Sequence, residues 1–244
     1  MKFWSILTIT TLFFLPFNTL KASDDKPVYN VHKLKKPMKI DGDWDKAQWK
    51  KVKPAKITHF MGDKPTFDPE AEVKMAYDDE NIYLIFKVKD QYVQSLTTKH
   101  QGPVYRDACV EFFFAPDTEA PLSYFNIETN AGGAILLQYN NAASKERSRM
   151  SLASIEQIEL FHSLPNVVSP AIETPVTWTL EYRIPLAMLK EYGKVSQPAK
   201  GVTWKANFYK ISDRPNVHYK TWSLVENARP NFHLPQFFGT LNFK

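Results

Sequence analysis

Carboxylate and amide side chains recur at alternate positions in two segments near the middle of the chain, VYRDACVEFFFAP and YFNIETN. Side chains alternate between the two faces of a strand, so Asp107 and Glu111 share a face in the first segment, as do Asn126 and Glu128 in the second. A hairpin between the segments would place all four on one surface. Carboxylates accept hydrogen bonds and amides both donate and accept, which suits a polyhydroxylated ligand. A solvated outer face is the alternative that these strands leave open.

The elements that must position these groups are strands along nearly the whole chain. Apolar residues alternate on either side of the turn DDEN, which predicts a hairpin, and further strands are predicted towards the C-terminus. Two short helices are expected, one capped by Asp43 and one opened by Pro185. There is no βαβ rhythm, so the pattern predicts an all-β, antiparallel β-sandwich of jelly-roll type with two short helices. Residues 140–175 give the weakest pattern, with a charged, exposed excursion around KER.

Three groups of motifs carry a family resemblance. The central segments, VYRDACVEFFFAP followed by YFNIETNAGG, resemble the middle of the family 9 carbohydrate-binding modules and their relatives in the DOMON-like β-sandwich superfamily. The entry motif IDGDWDKAQWKKV with the hairpin after it, and the ending WKANFYKISD to FGTLNF, fit the same family. Together they cover nearly all of the chain after its first thirty or so residues. The resemblance implies a β-sandwich that binds a glycan or its terminal sugar noncovalently and supports carbohydrate catabolism.

The resemblance also implies aromatic residues that clamp a sugar. Family 9 modules hold a sugar between two aromatic faces, and Trp222, in the segment YKTWSL, is the expected first clamp residue. A core tryptophan is the alternative at this position. Tyr105 and Phe232 are both candidates for the second clamp residue, and the sequence does not choose between them.

Polar groups around the sugar hydroxyls are the second implication of the resemblance. Asn126 and Glu128 match positions where the family places polar contacts. Arg106 and Asp107 lie next to each other at a strand entrance, and His233 lies in the late loop. Arg106 is expected at the ligand site, with an ion pair to a neighbouring carboxylate as the alternative.

Two other functions are weighed against binding. Glu111 and Glu128 could be imagined as the paired carboxylates of a glycosidase. No glycosidase motif accompanies them, so the sequence favours a non-catalytic protein, with a separate glycan-degrading enzyme as a partner and a weak hydrolytic role as an alternative. Some DOMON-like sandwiches hold haem b, for which Met75 and either His218 or His233 would be the axial ligands.

Bound metal is not predicted as a cofactor, except that the resemblance allows a structural Ca²⁺. Asp41, Asp43 and Asp45 alternate like ligands, and residues 78–81 form an acidic turn, but neither follows the EF-hand pattern. Turn formation and helix capping are the favoured roles of these residues.

The N-terminus predicts export. A short positive start and an apolar run to Phe17 are typical of a signal peptide, here residues 1–23, followed by one domain at 24–244. The mature chain is expected to be secreted or periplasmic and to lack a membrane span.

The net charge of +5 comes without a basic stripe, which argues against nucleic-acid binding. The single Cys109 cannot form an internal disulfide and is expected to be a small buried hydrophobe.

Overall fold

The computed structural model describes residues 26–244, so the predicted signal peptide lies outside the described residues. Within that range, strands dominate. They are β1 (Val28–Lys33), β2 (Ala55–Ile57), β3 (His59–Phe60), β4 (Glu70–Tyr77), β5 (Asn81–Asp90), β6 (Val93–Ser95), β7 (Cys109–Ala115), β8 (Tyr124–Asn130), β9 (Ile135–Asn141), β10 (Glu146–Arg149), β11 (Glu159–His162), β12 (Val168–Ile172), β13 (Val176–Pro185), β14 (Thr203–Ser212), β15 (His218–Thr221) and β16 (Gly239–Phe243). The short α-helices are α1 (Ala47–Lys50), α2 (Leu152–Ile155) and α3 (Leu186–Lys190), and single 3₁₀ turns span Val104–Arg106 and Pro235–Phe237.

The strands form two large sheets that share β1. The front sheet has the order β10-β9-β8-β7-β14-β16-β1, and the back sheet has the order β1-β4-β5-β13-β11. All these pairs are antiparallel except those of β1, which runs parallel to both β16 and β4. β15 continues the front sheet beside β14, and β6 pairs with β12 in a small ribbon. The prediction of a β-sandwich is confirmed, with the parallel strand β1 as an addition to the antiparallel pattern.

The helices differ in number from the prediction. Helices α1 and α3 lie where the two short helices were expected, but the N-cap residue of α1 is Lys46 rather than Asp43, and no side chain caps the helix. The third, α2, lies in the stretch that gave the weakest sequence pattern. Ser151 caps it by accepting a hydrogen bond of 3.0 Å from the backbone N–H of Ser154. Among residues 26–244, no helix is both long and apolar enough to span a membrane.

The core lies between the inner faces of the two sheets and is rich in aromatic rings. Phe112 stacks between Phe114 and Phe208, with ring centroids 4.4 and 5.2 Å away. Phe86 of the back sheet meets Phe208 edge-on at 6.3 Å. These residues have the alternate spacing that the sequence showed, because every second side chain of a strand faces the core. Such aromatic burial supplies much of the stabilisation of a fold that has no disulfide among its described residues.

The entry motif IDGDWDKAQW is held to the back sheet by one buried carboxylate. Glu181 accepts hydrogen bonds from the backbone N–H of Gly42 at 2.8 Å and from the indole N–H of Trp49 at 2.7 Å. It also forms an ion pair with Lys46 at 2.8 Å. A buried carboxylate with this many donors is satisfied, and it ties the turn and α1 to β13. Trp49 is therefore a core residue, as is the buried Cys109.

Candidate functional site

The pairing of β7 with β8 creates a polar surface on the outer face of the front sheet. Glu111 lies directly opposite Glu128, and Phe113 lies opposite Asn126. The next strand, β9, places Gln138 opposite Asn126. These side chains therefore share one face, as the alternation predicted. Their neighbours in sequence, such as Phe112, face the core.

This surface is the floor of a cavity of about 380 Å³. Its walls are the edge strand β10, the 3₁₀ turn before β7, strand β15 and the loop that follows β15. The lining residues are Tyr105, Glu111, Phe113, Glu128, Leu136, Gln138, Arg147, Arg149, Ile211, Tyr219, Pro230, Asn231, Phe232 and His233. Polar and apolar groups alternate around the cavity, and its volume falls within the range of small-ligand sites.

A chain of hydrogen bonds crosses the floor from the edge strand to the centre. Arg147 donates from Nε to Oδ1 of Asn140 at 2.9 Å. Asn140 donates from Nδ2 to Oδ1 of Asn126 at 2.7 Å. Asn126 in turn donates to Oε1 of Glu128 at 2.8 Å and to Oε1 of Gln138 at 3.2 Å. Each side chain thus fixes the orientation of the next, so the groups at the cavity surface are preorganised.

The two carboxyl groups at the centre of the floor are buried. Glu111 is 1% exposed and Glu128 is 4% exposed. Burial raises the pKa of Glu111 well above its usual range, and the neighbouring Glu128 raises it further. Burial also raises the pKa of Glu128, to about 7, although the hydrogen bond from Asn126 acts in the opposite direction. Oε2 of Glu111 is buried and has no hydrogen-bond partner among the described residues, so the cost of removing it from water is not compensated within the protein.

Aromatic rings form the wall opposite the edge strand. Phe232 stacks on Tyr209 with ring centroids 4.1 Å apart and planes 14° apart. The Tyr209 hydroxyl donates to the carbonyl oxygen of Phe232 at 3.2 Å, which fixes the loop. Tyr219 meets Phe232 edge-on at 6.3 Å. Tyr105 is 37% exposed and lies at the entrance, so its ring is the most accessible of these to a sugar face.

His233 links the loop to the sheet. Its Nδ1 lies 2.8 Å from the hydroxyl of Tyr124, and its ring is tilted above Phe113 at a centroid distance of 5.1 Å. Burial lowers the pKa of His233 to about 4, and the positive charge of Arg147 contributes to this shift. The imidazole is therefore neutral at physiological pH, and it offers a hydrogen-bonding group rather than a charge.

Several predicted site residues lie together. Tyr105, Glu128, Phe232 and His233 line the cavity. Asn126 is fully buried behind Glu128, where it positions the carboxyl group. Their roles in ligand binding stay predictions.

The other three predicted residues lie elsewhere. Trp222 is 7% exposed and packs in the core, 5.3 Å from Phe208 between ring centroids, so a sugar has no access to its face. Its place in the clamp is therefore corrected to a core position, which was the stated alternative. Asp107 is buried beside Asn130, which donates to it at 2.8 Å, and it has a structural role. Arg106 is exposed but is not among the cavity-lining residues.

The arginines of the edge strand were not among the predicted site residues. Arg147 and Arg149 both line the cavity, although the segment around them was interpreted only as an exposed excursion. Their spacing of two residues, in ERSRM, is the signal that places both on one face. Gln138 was also missed, and it lies one strand further in.

The described residues do not form a side-chain metal site. Among residues 26–244, no group of three or more His, Cys, Asp or Glu side chains is arranged to hold a metal ion. Asp41 instead accepts hydrogen bonds from the backbone of Asp43 at 3.2 Å and from Lys46 at 2.8 Å. Asp43 accepts from the backbone of Asp45 at 2.9 Å. These are turn contacts, and a structural Ca²⁺ stays a prediction.

The residues considered for haem do not fit that group. Met75 is fully buried within the sandwich core. His218 is also fully buried, and its nitrogens lie 2.9 Å from Nζ of Lys210 and 2.6 Å from the carbonyl oxygen of Asn216. His233 lines the cavity on the other face of the front sheet. Met75 therefore shares no cavity with either histidine in the described part of the chain.

Comparison with known proteins assigns the family. The family model of carbohydrate-binding family 9 matches residues 43–243, which is most of the chain. The family resemblance seen in the sequence motifs is thereby confirmed. No curated protein matches the sequence.

Similar solved structures share the fold. The "putative carbohydrate-binding protein" of Bacteroides uniformis ATCC 8492 superposes with a TM-score of 0.80 at 27% identity, over 90% of this chain and 100% of that one. A family 9 module from Caldicellulosiruptor kristjanssonii, in complex with cellotriose, gives a TM-score of 0.61 at 17% identity, covering 89% and 94% of the two chains. The same organism's family 9 module with glucose gives 0.60 at 17% identity, with coverages of 89% and 96%. At this lower identity the similarity shows the fold alone.

Proposed function

The chain belongs to carbohydrate-binding family 9, and on this premise we propose that the cavity on the outer face of the front sheet binds an oligosaccharide or the end of a polysaccharide noncovalently. In this proposal Tyr105 offers an aromatic face to a sugar ring. The carboxyl, amide and guanidinium groups of the floor and edge strand bind the hydroxyls. Phe232 and His233 close the far wall.

One observation carries this proposal: the continuous hydrogen-bond chain from Arg147 through Asn140 and Asn126 to Glu128. It holds donors and acceptors in place before a ligand arrives. Binding therefore costs the conformational entropy of the sugar, but little additional entropy for ordering the protein groups that contact it. Each hydrogen bond to such a group adds about 0.5–1.5 kcal/mol, and more where one partner is charged.

The buried carboxyl pair supports a binding role over hydrolysis. A glycosidase of the usual kind needs one ionised carboxylate, as nucleophile or base, beside a protonated one. Here burial raises the pKa of both Glu111 and Glu128. Burial thus disfavours the ionised form that a nucleophile or base needs. We propose that these groups recognise sugar hydroxyls and do not perform chemistry on the glycosidic bond.

The cellular setting follows from sequence features outside the described residues. The predicted signal peptide at residues 1–23 supports the proposal that the protein acts in the periplasm or outside the cell. A separate glycan-degrading enzyme that releases the bound sugars is the proposed partner. Together these would serve carbohydrate catabolism.

Calorimetric titration of the purified protein with a panel of sugars tests the binding function. The panel holds glucose together with neutral and acidic oligosaccharides of several linkages. Saturable binding is expected for at least one of them, and the variants Tyr105→Ala and Gln138→Ala are each expected to weaken it about tenfold. Arg183→Ala is the matched control, because Arg183 is on the back sheet in a surface ion pair with Glu159 at 2.9 Å.

Two results would overturn the proposal. One is the absence of saturable binding to every sugar tested by a folded protein. The other is binding that persists at full affinity in both cavity variants, because the ligand would then lie elsewhere on the molecule.

A further inference from the structure

We propose that the glycan bound in the cavity is acidic, and that Arg147 and Arg149 bind its carboxylate or sulfate group. This inference rests on the proposed carbohydrate-binding function and adds the chemical class of the ligand. It follows from the arrangement of charge around the cavity.

The two arginines lie on the same side of the edge strand. Arg147 is paired with Asn140 of β9, and Arg149 is paired with Gln138. Residues two apart in a strand face the same way, so both guanidinium groups border the cavity. Gln138 lines the cavity, and Asn140 lies beside it on the same polar outer face. The result is a pair of positive charges on one wall of a glycan-sized cavity.

Within the described part of the chain, neither guanidinium group forms an ion pair with a carboxylate within 4.0 Å. Among residues 26–244, the ion pairs within 4.0 Å include one arginine, Arg183, which pairs with Glu159 on the back sheet. The hydrogen bond from Nε of Arg147 to Asn140, at 2.9 Å, instead fixes the plane of that guanidinium group. A planar guanidinium group held in one orientation is suited to bidentate binding of a carboxylate or sulfate.

The carboxyl groups of the floor are buried, which disfavours their charged forms. Glu111 is buried and faces Glu128 across the strand pair, with Asp213 nearby and the buried Lys210 as the opposing cation. Burial and the neighbouring carboxylates favour its protonated form. The charged form of this carboxyl is therefore disfavoured, whereas the two arginines keep their positive charge.

Glu128 has a similar character. It faces Arg147, whose positive charge lowers its pKa, and Asn126, which donates a hydrogen bond to it. Burial outweighs both and raises the pKa to about 7. A protonated carboxyl can donate a hydrogen bond to an anionic ligand, whereas an ionised one would repel it.

A charged edge strand has another common explanation, which is protection against pairing with other chains. That role needs charge but no particular side of the strand. In β10 the acidic Glu146 lies on the opposite face of the strand from Arg147 and Arg149. The charged residues of β10 that face the cavity are therefore the two arginines. This separation of sign favours recognition of an anion.

The test compares ligands that differ only in charge. The protein is titrated calorimetrically with a uronate oligosaccharide and with its methyl ester, and then with a sulfated oligosaccharide and its desulfated form. The acidic member of at least one pair is expected to bind about tenfold or more tightly. Its affinity is expected to fall as salt rises from 50 to 500 mM, values chosen to shorten the screening length, whereas the affinity of the neutral member stays nearly constant. The pair that shows this preference distinguishes carboxylate from sulfate as the source of the charge.

Variants of the edge strand complete the test. Arg149→Gln and Arg147→Gln are each expected to remove most of the preference for the charged ligand, because they weaken its binding more than that of its neutral form. Arg183→Gln on the back sheet is the control and is expected to keep the preference. Thermal unfolding of each variant checks that it is folded. Arg149→Gln is informative even if the Arg147 variant is unstable, because the hydrogen-bond chain of the floor begins at Arg147 and does not include Arg149.

The outcomes separate the two proposals. Equal binding of charged and neutral ligands would overturn the acidic-glycan proposal and leave carbohydrate binding standing. Binding to no sugar at all would overturn both. A charge preference that survives in both arginine variants would also overturn the assignment to the edge strand.

Discussion

The two faces of the front sheet are built from the same strands and are both largely buried, yet they are stabilised in different ways. On the inner face, Phe112 packs against Phe114 and Phe208. On the outer face, Glu111 and Asn126 lie under a cavity and depend on hydrogen bonds. Apolar packing on the inner face needs no external partner. The outer face retains an unpaired carboxyl oxygen, which is typical of a surface that a ligand completes.

The two faces also differ in the free energy of burying their side chains. Burying an apolar ring is favourable, whereas burying a carboxyl group that lacks a partner is unfavourable. The buried carboxyl pair of the outer face should therefore reduce the stability of the free protein, while the rings of the inner face increase it. Functional sites commonly show this opposition between stability and binding. Removing an inner ring and removing the ionisation of an outer carboxyl group should accordingly have opposite effects.

The largest expected effect is on the inner face. Trp222→Ala should lower the free energy of unfolding by about 3–5 kcal/mol, because it empties the space beside Phe208 in the core. Urea denaturation followed by fluorescence or circular dichroism measures this change. Tyr105→Ala, at the entrance of the cavity, is the matched control and should change stability by less than about 0.5 kcal/mol.

The opposite outcome would show that Trp222 is not part of the core. A Trp222→Ala protein that is as stable as the parent but cannot bind any sugar would return this residue to the clamp position that the sequence suggested. Stability loss with ligand binding retained in the folded fraction would support its place in the core.

The second effect concerns the outer face, where Glu128→Gln should make the protein more stable than the parent at alkaline pH. The folded-state pKa of Glu128, about 7, lies above the ordinary value of 4.5. Folding therefore takes up a proton between these values, and stability should fall as pH rises from about 4.5 to above 7. Glu128→Gln retains the acceptor for Asn126 and removes the ionisation. It should stabilise the protein at pH 8 by on the order of 1–3 kcal/mol and flatten this part of the profile.

Denaturation midpoints at pH 5, 6, 7 and 8, chosen to bracket this transition, measure the effect. Glu159→Gln on the back sheet, at a partly exposed residue, is the control and should leave the profile unchanged. A Glu128 variant whose stability declines with pH as steeply as that of the parent would show that folding does not raise the pKa of this carboxyl.

The smallest effect concerns a positioning residue. Asn140→Ala removes the acceptor that orients Arg147 and the donor to Asn126. Sugar affinity is expected to fall about three- to tenfold, since each lost hydrogen bond is equivalent to roughly 1 kcal/mol. Asn242→Ala, which removes an exposed hydrogen bond of 3.3 Å to Asn30, is the control. Unchanged affinity in Asn140→Ala would show that the chain of hydrogen bonds does not prepare the site.

The sequence predicted the fold because the strands alternate clearly. Residues such as Phe112 and Phe114 mark the inner face at every second position, and this placed Glu111 and Glu128 together on the other face. Placing these two residues on one face did not need the order of the family motifs. Strand alternation is a local property, and the sequence carries it directly.

The remainder of the site depends on packing that alternation does not encode. Trp222 follows the short strand β15, and nothing local shows which of its faces is covered by the core. The edge strand ERSR has no apolar residues, so it has no visible period, and Arg147 was interpreted as an exposed charge. Its role becomes apparent only when β10 is paired with β9 beside the cavity floor.

The most direct test of the account is to map the bound ligand on the protein. Backbone amide chemical shifts are recorded by NMR while an oligosaccharide identified by calorimetry is added. The account predicts that the shifts concentrate in β7, β8, β9 and β10 around Glu111, Glu128, Gln138 and Arg147, and in the loop at Phe232. Shifts confined to the back sheet, or to another surface of the molecule, would contradict it.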